Sequence, residues 1–133
     1  MAVGIGRSPS GSWADVDRSD WSGFYSDAIQ QYIIDYFTVD GEAVDLYDGA
    51  VFSGGQLDTL CSQLRVATTE IQAFQSDWPF EDSEQIERYY SACRAYDIFP
   101  HPPRDQALRT LRECITLATK ARQLDQFLVF CGD

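Results

Sequence analysis

The sequence predicts an α+β fold in one domain: a small antiparallel or mixed sheet packed against several helices. Three observations predict it. A capped amphipathic run follows Phe52, a second amphipathic run follows the corner at His101, Pro102 and Pro103, and residues 127–130 (FLVF) form a short apolar run. The 133 residues fit one core, and a hydrophobic fraction of 44% with 14% aromatics supplies it.

The first twenty residues are rich in Gly, Ser and Asp and read as a loose lead-in, with the domain proper over 21–133. Phe24, Ala28, Ile29, Tyr32, Ile33 and Tyr36 recur at helical spacing, which favours a helix up to about Tyr36. Asp40-Gly41 reads as a turn. Val44 and Leu46 then alternate with Asp45 and Tyr47, as in a half-buried strand. Asp48-Gly49 is a second turn, after which residues 50–52 are expected to extend the pairing as a hairpin.

Ser53 and Gln56 have the spacing of a capping box, with Phe52 and Leu57 placed as a hydrophobic staple. Leu57, Leu60, Cys61, Leu64, Ala67, Ile71 and Phe74 continue as one stripe, so a helix is expected over 54–75. Asp82 with Gln85, then Ile86, Tyr89, Tyr90 and Cys93, predicts a helix over 83–96. Leu108, Leu111, Ile115 and Ala118 mark the helix after the prolines, and Lys120 and Arg122 suit its C-terminal dipole. The FLVF run has the length of a buried strand.

Charge narrows function. Ten Lys and Arg face 21 Asp and Glu, a net of −11. Such a surface repels phosphate backbones and anionic lipid, so nucleic acid and membrane are excluded as ordinary partners. The imbalance is local: 15–58 holds ten acids against Arg18 alone, while 88–122 holds seven bases against three acids.

Site chemistry finds little. A calcium loop starting at Asp40 would place Val44 where a ligand is needed and Asp45 where glycine is needed. Cys61, Cys93, Cys114 and Cys131 form no Cys-x-x-Cys pair, and with His101 as the one histidine no zinc set assembles. The cysteines read as free thiols in a reducing cytoplasm. No nucleophile elbow and no glycine-rich phosphate loop is present. The expectation is a non-enzyme without metal or cofactor.

What remains is acids interleaved with aromatics. Asp40, Glu42, Asp45, Tyr47 and Asp48 form one candidate partner-binding patch, and Trp78, Glu81 and Asp82 a second. The bland reading of the second is a loop whose rings close the core.

In "DLYDGAVFSGGQLDTLCSQL" and "ALRTLRECITLATKARQLDQFLVFCGD", about a third of the chain, the sequence resembles small acidic immunity proteins of bacterial polymorphic toxins. The shared layout is an acidic turn, a long helix entered through Phe52-Ser53, and a late Leu/Ala-rich helix running into a strand. The resemblance implies a cytoplasmic inhibitor that binds a cognate toxin domain with a basic cleft. The alternatives are an acidic chaperone of secreted effectors and a nucleic-acid mimic.

Overall fold

A computed structural model describes residues 3–24, 31–95 and 101–132. The first strand, β1 (Val3–Ser8), pairs antiparallel with β2 (Trp21–Phe24). A hairpin of β3 (Thr38–Val39) and β4 (Glu42–Ala43) follows, then β5 (Val51–Phe52). Three helices come next: α1 (Gly55–Gln72), α2 (Ser83–Ala95) and α3 (Pro103–Gln123). The last strand is β6 (Phe127–Gly132). The main sheet has the order β2-β1-β6-β5, antiparallel throughout, so the α+β expectation holds.

The expectation of a loose segment over 1–20 is corrected at residues 3–8, which form an inner strand of the sheet. The reason lies in its alternation. Val3 and Ile5 point into the core and are fully buried, whereas Gly4 and Gly6 face the other way. The connection after β1 folds back over those glycines. A Cβ on Gly4 would lie 2.6 Å from Trp13 Cη2, and one on Gly6 would overlap Val16 Cγ1. Composition alone reads such a strand as loop, because half of its inward and outward signal is carried by missing side chains.

Arg7 continues the inward phase and is 4% exposed. Its Nη2 donates to Asp17 Oδ2 at 3.1 Å, and its Nη1 donates to Gln126 Oε1 at 2.8 Å. Asp20 also accepts from Lys120 Nζ at 3.2 Å, near the end of α3. These bonds fasten the β1–β2 connection to the far end of the chain.

Both long stripes form helices. In α1 the stripe from Leu57 to Ile71 is buried, but Phe74, expected to close it, lies past the helix end at Gln72 and is half-exposed. Ser53 N–H donates to Gln56 Oε1 at 3.1 Å, which is the returning half of the capping box. The N-cap position itself falls on Gly54, which carries no side-chain cap. Pro103 opens α3, and Arg122 in its last turn bridges to Asp58 on α1. Helix α3 packs on α1 and on β1, β2 and β6. Leu128 and Phe130 of β6 point into this core, where Phe130 meets Phe37 and Phe52 edge-on, each at 5.5 Å between centroids.

The strand expected over 44–47 is replaced by a 3-10 turn, Leu46–Asp48. Asp45 Oδ1 accepts the N–H of Tyr47 at 3.0 Å, a local bond that competes with strand pairing. Leu46 is still buried, so its inward direction survives in a different backbone. The hairpin expected to follow is also corrected: β5 pairs with β6, in the register Val51↔Val129 and Phe52↔Leu128. The Asp40-Gly41 turn does form, with φ of 53° and 82°, and it closes β3 onto β4. Of the helix expected up to Tyr36, residues 31–33 are helical and Ile34–Tyr36 is a 3-10 turn, whereas Phe24 belongs to β2. Ala28 and Ile29 lie outside the described residues, as does Tyr96 in the helix expected over 83–96.

Candidate partner-binding face

The β3–β4 hairpin and the turn before β5 display the first group of acids. Asp40, Glu42, Asp45 and Asp48 are all exposed. Asp45 also caps the 3-10 turn, so it has a structural duty beside its charge. Tyr47 is half-buried and packs against the core, with its backbone pressed close to β6: a Cβ on Gly132 would lie 2.8 Å from Tyr47 Cα. Tyr47 therefore belongs to the wall that carries the acids.

The second group sits on the connection from α1 to α2. Trp78 is half-buried, stacks on Phe74 at 5.7 Å and meets Tyr32 edge-on at 6.1 Å. Phe80 meets the same Tyr32 and leans on Tyr89. Trp78 and Phe80 thus pack inward against the core, as the bland reading supposes. Glu81 and Asp82 are exposed and serve the start of α2. Asp82 Oδ1 accepts from Gln85 N–H at 2.8 Å, and Gln85 Oε1 accepts from Glu81 N–H at 3.2 Å. The two groups lie on separate connections, one between β3 and β5 and one between α1 and α2.

The pairing of charges separates these acids from seven others. Arg7, Arg88, Arg94, Arg104, Arg109, Lys120 and Arg122 are each bonded to a carboxylate. Their partners are Asp17, Asp20, Asp58, Glu84, Glu87, Asp105 and Glu113. Among the described residues, Asp35, Asp40, Glu42, Asp45, Asp48, Glu81 and Asp82 have no ion-pair partner. With Asp77, eight carboxylates over 35–48 and 77–82 thus stand without a salt bridge, as do Asp15, Glu70 and Asp125 among the described residues.

A recess beside the first group was not foreseen from the sequence. Its volume is about 350 Å³, and Asp35, Tyr36, Thr38, Ser62, Gln63 and Val66 line it. Val66 is 54% exposed on α1 and lies off the buried stripe, which is the one signal the sequence offered. Tyr36 O–H donates to Glu70 Oε2 at 2.6 Å. That bond, with burial, pushes the Tyr36 hydroxyl up to about 12. Gln63 Nε2 donates to Thr38 Oγ1 at 2.5 Å, leaving Gln63 Oε1 buried without a partner.

A second recess of about 300 Å³ lies between β2 and α3, lined in part by Trp21, Ser22, Arg112 and Glu113. Its carboxylates are already engaged: Ser22 Oγ donates to Glu113, Arg109 bridges to Glu113, and Asp20 holds Arg7 and Lys120.

Cys61, Cys93 and Cys114 are buried free thiols, and burial pushes the Cys114 thiol well up. The Tyr89 hydroxyl is raised chiefly by burial and donates to the backbone carbonyl of His101 at 2.8 Å. His101 Nε2 lies 3.3 Å from Arg109 Nη1. Among the described residues no group of three His, Cys, Asp or Glu is placed to hold a metal ion, and no helix is long and apolar enough to cross a membrane. No family model, no curated protein and no solved structure matches the chain.

Proposed function

We propose that this chain is a non-enzymatic, cytoplasmic inhibitor of the immunity-protein kind, which binds a basic toxin domain and blocks its active site or substrate surface. The observation that carries this reading is the uncompensated acidic surface over 35–48, whose carboxylates have no cation of their own to hold. Intramolecular ion pairs must be broken before such groups bind a partner, whereas unpaired acids meet incoming cations at once. Their summed field raises the encounter rate with a basic cleft and fades with salt. The sequence resemblance supports the same reading.

The test is protection. The chain is co-expressed with a toxin domain encoded beside it, and growth is compared with that of cells carrying the variant Asp40→Asn, Glu42→Gln, Asp45→Asn and Asp48→Asn. Wild type restores growth, and the variant associates on the order of tenfold more slowly at low ionic strength. Equal killing with and without the chain sinks the reading. Equal association rates for wild type and variant move the interface elsewhere.

A further inference from the structure

We infer that the recess between α1 and the start of β3 is the anchor pocket of the acidic face. It takes a large apolar side chain, such as an aromatic ring, of a basic partner that is flanked by cations. This inference rests on the acidic-face reading above and adds what the partner inserts.

Three observations meet at this recess. It is apolar where it opens, since Val66 is 54% exposed on the outer side of α1 and the ring of Tyr36 faces the same space. Its volume of about 350 Å³ accommodates one large side chain. In its lining, Gln63 Nε2 donates to Thr38 Oγ1 and so ties α1 to β3 at the wall of the recess. An indole has the large apolar body that such a recess takes.

The rim supplies the charge complementarity. Asp35 lines the recess itself. Thr38, also in the lining, starts β3, whose hairpin carries Asp40 and Glu42, with Glu42 paired in register to Val39. Glu70 lies one helical turn beyond Val66 and is held by Tyr36. None of these four acids has a salt bridge among the described residues, so Asp35 at the recess and the acids of the adjoining hairpin leave uncompensated negative charge on that side of it. An apolar centre with a charged rim is the arrangement in which a buried anchor supplies affinity and the rim supplies rate and selectivity.

The test uses the full chain, isotopically labelled, and two synthetic peptides, Lys-Arg-Trp-Arg-Lys and the same peptide with Gly in place of Trp. Backbone amide shifts are followed by NMR at low ionic strength. The Trp peptide is expected to bind about tenfold more tightly, with shifts centred on Ser62, Gln63 and Val66. Val66→Gln, a neutral change at an exposed helical position, is expected to cut that advantage to about threefold or less while leaving the Gly peptide unaffected. Equal salt-sensitive binding of both peptides overturns the pocket and leaves the acidic face standing. Absence of binding by either overturns both. Shifts at the same three amides on raising protein concentration without peptide, with self-association in the ultracentrifuge, assign the recess to a second copy of the chain and overturn the proposal.

Discussion

Arg7 and Asp20 share one oxygen. Arg7 Nε donates to Asp20 Oδ2 at 3.1 Å, and Arg7 Nη2 lies 3.1 Å from the same atom. The guanidinium is buried while the carboxylate keeps contact with water, its side chain 36% exposed. Removing Asp20 therefore leaves the buried cation with Asp17 as its remaining carboxylate and takes the acceptor from Nε, whereas removing the cation frees carboxylates that water can reach. Asp20→Ala is expected to cost about 2 kcal/mol and Arg7→Ala about 3 kcal/mol once its lost packing is included. Urea unfolding reads both as a lower midpoint at unchanged slope.

The same cluster sets a pH dependence. The bond from Lys120, then that from Arg7, holds the Asp20 carboxyl below the ordinary value against the opposing effect of burial. Asp17 is lowered chiefly by the hydroxyl and amide of Ser19, with Arg7 adding to it. A carboxyl whose folded pKa is depressed stabilises fully above its unfolded value of about 4. That stabilisation is lost as pH falls through the folded value. Wild type and Asp20→Asn should thus differ most near neutrality and converge in urea midpoint as pH falls below about 4.

Gly6 tests the covering of β1. A methyl group there meets Val16, which is itself buried, so Gly6→Ala should destabilise by about 1–3 kcal/mol through overpacking. If thermal unfolding is unchanged, the 13–16 segment does not lie on this strand.

Asp45 has separable roles. Its side chain caps the 3-10 turn by accepting the N–H of Tyr47, and its charge belongs to the unpaired face. Asp45→Asn keeps an acceptor and should leave stability within about 0.5 kcal/mol, while Asp45→Ala should cost about 1 kcal/mol. Loss of partner binding in the Asn variant then reports charge alone.

Cys131 is half-buried, whereas Cys61, Cys93 and Cys114 are buried. In the native protein a thiol reagent should label Cys131 first and Cys114 last, the latter also raised by its surroundings. All four should react together once the chain is unfolded in urea.

Periodic elements were legible because each writes its own burial into the sequence: α1 and α3 through their stripes, β6 through its apolar run. Exposure of Asp40, Glu42 and Asp48 followed from the cost of burying charge. Less was legible where a distant residue decides. Strand β1 needs Trp13 and Val16 to fill the space its glycines leave. The direction of Trp78 depends on Tyr32, 46 positions earlier, and on Phe74. The turn at Leu46 depends on one local bond from Asp45, which alternation of hydrophobicity does not register. The recess at Val66 exists only when α1 lies beside residues 35–38, a juxtaposition that no local pattern encodes.

The ladder from Val3↔Gly132 to Ser8↔Phe127 joins β1 to β6 across nearly the whole chain. Closing so long a loop is an entropic cost met before the contacts that reward it. During synthesis β1 and β5 leave the ribosome well before β6, the strand that lies between them in the sheet. The helical pair α1 and α3 can associate earlier, since its contacts are nearer in sequence. Sheet completion is thereby a late event, and two strand edges wait for the same partner until β6 has been made.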